Sequence, residues 1–162
     1  PAPPVVVHPN NHDGRRWTVD AATDGLLPGG LLVIDESFCD GMPGASLIAL
    51  ADRPGVVVLK SFGKFWGLAG LRLGFAIGDP GLLADLAAAL GPWPVSGPAL
   101  AVAAQALADV AWAAAARARL AADAARLDAL TGWRVAGGTP LFRLYDTGDA
   151  ALMQDRLARA RI

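Results

Sequence analysis

Residues Leu59–Ala76 read LKSFGKFWGLAGLRLGFA, and this stretch holds both lysines of the 162-residue chain, Lys60 and Lys64. They sit where the apolar run Val56–Leu59 ends, with Ser61 between them and Arg72 a little further on. Concentrating the amines at one point marks it as a place where amine chemistry is wanted. Working outward, two similar runs lie upstream, VVV at Val5–Val7 and LLVI at Leu31–Ile34. Apolar runs without alternation predict strands buried on both faces. The intervals between them leave room for crossover connections, with short helices expected over Ala21–Leu27 and Ser46–Ala51. The expected class is therefore parallel α/β.

Downstream, Leu71–Ile77 is a further strand candidate, and Pro80 is well suited to open a helix reaching Leu90. Helices are expected over Ala99–Asp109 and Val110–Leu130. In the second, Trp112, Ala116, Leu120, Leu127 and Leu130 mark one face, with Arg117, Arg119, Asp123 and Arg126 on the others. From Gly132 the texture changes to short strands, Trp133–Gly138 and Leu141–Asp146, followed by a helix over Asp149–Ala160. Residues 1–130 are read as part of a larger domain and 131–162 as the start of a smaller one. The apolar run close to the first residue, and a last helix that would feed a further strand, read as the ends of a fragment.

Composition narrows the function classes. At 54% apolar residues and a mean hydropathy of +0.39 the chain can build a substantial core. A formal charge of -1 and a pI near 6.1 offer no basic field for nucleic acid and no cationic face for a membrane. Pro98–Ala116 is interrupted by Gln105 and Asp109, so no membrane span is expected there. The opening PAPPVVVHPNN has no basic n-region and predicts no signal peptide. Cys39 is the only cysteine, which rules out an internal disulfide and fits a reducing cytoplasm.

In open parallel sheets ligands bind beyond the carboxyl ends of the strands. The first run exits into His8-Pro9-Asn10-Asn11-His12-Asp13-Gly14, the second into Asp35-Glu36-Ser37-Phe38, and the third into Lys60-Ser61-Phe62-Gly63-Lys64. An amide, a carboxylate, a hydroxyl and an amine are thus expected on one sheet edge, with Arg72 at the start of the next strand. That set suits a flat, phosphorylated, electron-poor cofactor. A carboxylate keeps a ring nitrogen protonated, arginine and serine hold a phosphate, and a lysine condenses with an aldehyde. Pyridoxal 5'-phosphate meets all these demands together.

The same residues carry a resemblance. Through HPNNHDG (8–14), VIDESF (33–38), SFGKFWGLAGLRLGFA (61–76) and GGTPLFRL (137–144), the chain resembles the pyridoxal-phosphate enzymes of the aspartate aminotransferase fold. Within them it is similar to the branch of histidinol-phosphate aminotransferase and threonine-phosphate decarboxylase. The resemblance covers essentially the whole chain. It implies a three-layer α/β/α large domain with a mainly parallel sheet, followed by the start of a small C-terminal α+β domain. It further implies that Lys64 forms the Schiff base, Asp35 pairs with the pyridine nitrogen, Asn11 bonds the ring oxygen, and Ser61 and Arg72 hold the phosphate. Lys60 is then a solvated or ion-paired neighbour.

Two positions depart from that pattern. Phe38 stands where aminotransferases of this branch carry tyrosine, and His12 where proline is usual. Phenylalanine there, with LGPWPVSGPAL (90–100) and GGTPLFRL, is more similar to the decarboxylase. The implied reaction is loss of carbon dioxide from O-phospho-threonine, giving aminopropanol phosphate for cobalamin synthesis. The alternatives are amino transfer from histidinol phosphate to 2-oxoglutarate, or a non-catalytic regulatory domain, against which the neutral charge and the lack of a helix-turn-helix signal argue. The resemblance also implies a homodimer, a substrate-carboxylate arginine beyond Ile162 and a cofactor-stacking loop before Pro1.

Other candidates carry less. Glu36 reads as structural, and His8 and His12 as loop histidines satisfied by backbone. Two histidines beside one aspartate make a poor metal site, so no metal is expected. Trp66 reads as core or dimer packing, Arg143 as either substrate-facing or paired at the surface, and GLAGLRLG lacks nucleotide-loop spacing.

Overall fold

A computed structural model describes residues 4–24 and 26–162. Its elements in order are β1 (Val5–Val7), α1 (Val19–Thr23), β2 (Leu32–Asp35), 3-10 turns at Pro43–Ala45 and Ile48–Asp52, β3 (Val56–Ser61), a 3-10 turn at Ala69–Leu71, and β4 (Gly74–Gly78). Then follow α2 (Pro80–Leu90), α3 (Gly97–Ala108), α4 (Val110–Thr131), β5 (Arg134–Thr139), β6 (Phe142–Asp146) and α5 (Ala150–Arg159). The first four strands form one sheet in the order β1-β2-β3-β4, and β5 and β6 form a separate two-stranded sheet.

The three apolar runs pair in parallel, as expected from their lack of alternation: Val7 lies opposite Asp35, and Asp35 opposite Leu59. β4 runs antiparallel to β3, with Ser61 opposite Gly74 and Lys60 opposite Phe75. The chain between them stays at the edge it left, held by Phe62 N–H to Leu73 O (3.2 Å) and Leu68 N–H to Phe62 O (2.9 Å). A connection that never crosses the sheet can only return antiparallel.

Strand alternation gives the sheet two unequal faces. Leu32 and Ile34 of β2 and Val56 and Val58 of β3 are essentially inaccessible and pack with Val6, Ala22, Leu47 and Leu50. On the other face Val57 is buried while Val33 and Leu59 are only half-buried, so it is the less completely covered of the two. The expectation of strands buried on both faces holds at Val57 and only in part at Val33 and Leu59. Ala22 of α1 and Leu47 and Leu50 of the 3-10 region pack on the first of these faces.

The helix boundaries follow their caps. Thr18, Asp79, Ser96, Asp109 and Asp149 each accept a backbone N–H in the first turn of the helix they precede. Pro80 occupies the first turn of α2 as expected. The first crossover helix covers Val19–Thr23 where Ala21–Leu27 was expected, because Thr18 caps it early; Gly25 in that range lies outside the described residues. The expected helix at Ser46–Ala51 is a 3-10 turn, Ile48–Asp52. In α4 only Ala113 and Ala116 are buried, while Leu127 and Leu130 are exposed, so the expected apolar face serves only near its N-terminal half. A 74° bend at Asp109 separates α3 from α4, and no single helix among the described residues is long and apolar enough to cross a membrane.

Asp79 ties α2 to the turn before β3. Its Oδ1 accepts from Gly81 (2.8 Å) and Leu82 (3.2 Å), and its Oδ2 from Gly55 (3.1 Å). The Gly55 bond, then the Leu82 bond, hold this carboxyl below the ordinary carboxylate range. A depressed value means that the stabilisation is complete above the unfolded value of about 3.9 and is lost as the pH falls through the folded one. Asp79→Ala should accordingly lower the melting temperature at pH 7, with the gap to wild type narrowing below about pH 4. Melting curves between pH 2 and 7 check this, and a gap independent of pH would contradict it.

Candidate active site

The three parallel strands deliver their exits to one edge of the sheet. Beyond β1, Asn10 N–H donates to Arg15 O and Gly14 N–H to Asn10 O, both at 2.9 Å, closing a tight loop. The Asn10 side-chain oxygen accepts the His12 N–H (2.9 Å), which leaves Asn11 exposed at the tip. Asp35 ends β2 half-buried, and its Oδ1 accepts both the backbone N–H (2.9 Å) and the hydroxyl (2.5 Å) of Ser37. Ser61 ends β3, with its Oγ accepting the Gly63 N–H at 3.1 Å.

Register decides which side chains share a face. Because Asp35 lies opposite Leu59, and residues two apart on a strand point the same way, Asp35 and Ser61 belong to the less covered face. Glu36 and Lys60 belong to the densely packed one. Arg72 stands beyond the loop in left-handed backbone (φ 52°, ψ 40°), an arrangement that costs a non-glycine residue on the order of 1 kcal/mol. Its exposed guanidinium donates to Ala69 O (3.1 Å).

The two lysines have opposite surroundings. Lys60 Nζ lies 2.6 Å from Glu36 and 3.1 Å from Asp40, with only 16% of its side chain accessible. Burial pulls this amine down, but the Glu36 hydrogen bond and the charges of Asp40 and Glu36 outweigh it and leave the ammonium above its usual range. Of the two readings of Lys60, solvated or ion-paired, the structure has the ion pair. Lys64 is exposed, forms no ion pair with a described residue, and holds its Nζ 5.1 Å from the centre of the Phe38 ring.

Glu36 is structural, as expected. It is fully buried and accepts from Lys60, the Ser46 hydroxyl (2.7 Å) and the Leu47 N–H (2.5 Å). His8, Glu36 and Cys39 place potential ligand atoms within 4.8 Å of one another. Both His8 ring nitrogens are nevertheless engaged, Nε2 with Ala45 O (2.7 Å) and Nδ1 with the Trp17 N–H (3.0 Å). Burial also pushes the Cys39 thiol up to about 12. His8 and Glu36 are thus engaged by the fold itself.

Residues 5–159 match the family described as aminotransferase class I and II. The chain belongs to that family. It is 49% identical over 98% of its length to threonine-phosphate decarboxylase of Pseudomonas aeruginosa, covering 50% of that protein. It is 42% identical over 90% of its length to a histidinol-phosphate aminotransferase of Mycobacterium bovis, covering 42% of it. The solved histidinol-phosphate aminotransferase of Sinorhizobium meliloti, in complex with pyridoxal-5'-phosphate, superimposes with a TM-score of 0.75 at 29% identity over 94% of this chain and 45% of that one. The chain thus spans about half the length of the curated relatives it matches.

Several contacts in this aminotransferase-family chain have no signature in the sequence. The β5–β6 hairpin sits against the Asn11 loop through Gly138 N–H to Asp13 O (2.8 Å). Gly14 has φ +71°, and a Cβ there would lie 2.2 Å from Gly138 O. From β6, Phe142 meets Phe38 edge-on at 5.4 Å, so the ring beneath Lys64 is itself backed by the hairpin. Trp66 is packed between Phe62 (5.4 Å) and Trp112 (5.6 Å), and it donates to Asp40 Oδ2 at 2.8 Å. Arg143 takes the paired alternative, forking onto Asp128, which also accepts from Tyr145.

With two lysines in such different settings, limited acetylation at neutral pH should modify Lys64 well before Lys60. Peptide mass mapping reads the two sites separately, and equal labelling would contradict the ion-paired assignment.

Proposed function

We propose that this chain carries the cofactor-binding residues of a pyridoxal-phosphate-dependent threonine-phosphate decarboxylase. The donor set fits the cofactor group for group. An exposed amine at Lys64, without an ion-pair partner among the described residues, suits the aldehyde, and a carboxylate at Asp35, oriented by Ser37, suits a protonated ring nitrogen. The Asn11 amide suits the ring oxygen, and the Ser61 hydroxyl with the Arg72 guanidinium suits the phosphate. The observation that carries the reading is the separation of the two lysines, with Lys60 consumed by carboxylates and Lys64 exposed over the ring of Phe38, three residues beyond Asp35.

When bound, pyridoxal phosphate supplies an electron sink for the bond broken at the substrate α-carbon. Asp35 holds a positive charge at the ring nitrogen, and Asn11 accepts or donates at the ring oxygen. Ser61 and Arg72 anchor the phosphate, and Lys64 holds or releases a proton beside the reacting carbon. Phe38 supplies an apolar wall without a hydroxyl, so this position cannot donate a hydrogen bond to the ring.

Loss of carbon dioxide from O-phospho-threonine is favoured over amino transfer by two supports. Relatives named threonine-phosphate decarboxylase, from Pseudomonas aeruginosa and a Sinorhizobium species, match at 49% and 43% over 98% of the chain. Phenylalanine at position 38, by the resemblance, fits a decarboxylase better than a transaminase. Residues 1–130 are read as part of the cofactor-binding domain and 131–162 as the start of a smaller one, in an enzyme that works as a cytoplasmic homodimer. Amino transfer from histidinol phosphate is the second reading, favoured by the structural likeness to the Sinorhizobium meliloti enzyme.

Added pyridoxal phosphate should give the purified protein a visible absorbance band, which borohydride converts to a stable adduct on Lys64. An adduct that survives Lys64→Ala would overturn the assignment. Asp35→Ala should retain uptake and lower turnover by about 100-fold or more, the scale of losing one electrostatic contact to a developing charge; unchanged turnover would remove Asp35 from its role. Phospho-threonine should release carbon dioxide, whereas glutamate formed from histidinol phosphate and 2-oxoglutarate would select the second reading.

A further inference from the structure

Two of the proposed cofactor contacts, Asp35 and Ser61, have immediate neighbours in sequence on the opposite face of the sheet. Glu36 follows Asp35, Lys60 precedes Ser61, and Trp66 closely follows Lys64. On the packed face these neighbours join into one network. Lys60 Nζ bridges Glu36 (2.6 Å) and Asp40 (3.1 Å), and Asp40 Oδ2 accepts the Trp66 indole N–H (2.8 Å). The Asp40 carbonyl also accepts from Arg117 Nε of α4 at 2.9 Å. One ammonium thus joins the exit of β2, the end of β3 and the loop that carries Lys64.

We propose that Lys60 is a positioning residue, which bridges Glu36 and Asp40 so that Asp40 holds Trp66, and with it the Lys64 backbone, in the place the cofactor requires. The inference rests on the reading of Lys64 given above.

The charge balance explains why an ammonium is needed. Glu36 is fully inaccessible and Asp40 largely so, at 17%. Without the positive charge between them two carboxylates would face each other in a poorly solvated space, a strongly unfavourable arrangement. Asp40 is the more accessible of the pair and the one able to turn toward water. Turning away releases the Trp66 N–H, and Trp66 is the stacked residue that fixes this side of the loop between Phe62 and Trp112.

Substitution of Lys60 by Met and by Arg separates positioning from bulk. Lys60→Met keeps the length of the stem and removes the charge, whereas Lys60→Arg keeps the charge and can reach both carboxylates. Amide hydrogen exchange on the cofactor-free protein should show Gly67 and Leu68 exchanging about tenfold faster or more in Lys60→Met, with β1 and β2 unaffected. The circular dichroism of the bound-cofactor band should weaken in parallel, and Lys60→Arg should restore both signals. Loop exchange and cofactor dichroism unchanged in Lys60→Met, or lost equally in Lys60→Arg, would overturn the proposal.

Should Lys60→Met fail to fold, Trp66→Phe deletes the indole N–H that reaches Asp40, with part of the ring system, and keeps an aromatic ring in the stack. The proposal requires the same loosening of the loop there, and wild-type exchange would overturn it. Lys64→Ala isolates the premise. A borohydride-stable adduct persisting in that variant would defeat the reading of Lys64, while the exchange measurements would still decide the Lys60 network.

Discussion

Strands that pair in parallel and in register send every chain exit to the same edge, and this constraint governs the whole molecule. Val7, Asp35 and Leu59 stand side by side across β1, β2 and β3. The residues that follow them therefore gather along one line without further instruction. Alternation along each strand then divides the gathering in two: Asp35 and Ser61 face the less covered side, and Glu36 and Lys60 face the packed side. The packed side ties β2, β3 and the Lys64 loop together through Glu36, Lys60, Asp40 and Trp66.

The same division makes two lysines chemically different. An ammonium held between a fully buried glutamate and an aspartate is committed, and taking one partner from a buried pair of this kind typically costs about 3–5 kcal/mol. Such an amine cannot serve as a nucleophile. Lys64, held above an aromatic ring at the solvent edge, keeps that freedom. Its loop is held by backbone bonds of its own, Leu68 to Phe62 and Gly67 to Lys64, and by the β3–β4 pairing at its ends. The left-handed Arg72 closes the same excursion.

Much of this was readable in the sequence because it depends on local pattern. Unbroken apolar runs specified β1, β2 and β3. Pro80 and the changes of texture near Pro98, Asp109 and Gly132 located the later helices and the hairpin. The strand-exit rule pointed to the stretches His8–Gly14, Asp35–Phe38 and Lys60–Lys64; the resemblance singled out Asn11, Asp35, Ser61 and Lys64 within them, and the family match supports that resemblance. What could not be read depends on contacts through space. The antiparallel course of β4 follows from a loop that stays at one edge, and the unequal faces of the sheet from where the 3-10 turns pack. The pairing of Phe38 with Phe142, the seat of Gly138 on Gly14, and the bridge from Glu36 through Lys60 and Asp40 to Trp66 join residues far apart in the chain, whose types alone suggest no partner.

The central claim is that one planar ring is held between the Lys64 amine and the Asp35 carboxylate. Nitrogen-15 NMR of the protein loaded with pyridoxal phosphate labelled at its ring nitrogen tests this most directly, since the shift reports whether that nitrogen carries a proton. The account predicts a protonated nitrogen at neutral pH that loses its proton in Asp35→Asn. An unprotonated nitrogen in the wild type, or a signal indifferent to the substitution, would contradict it.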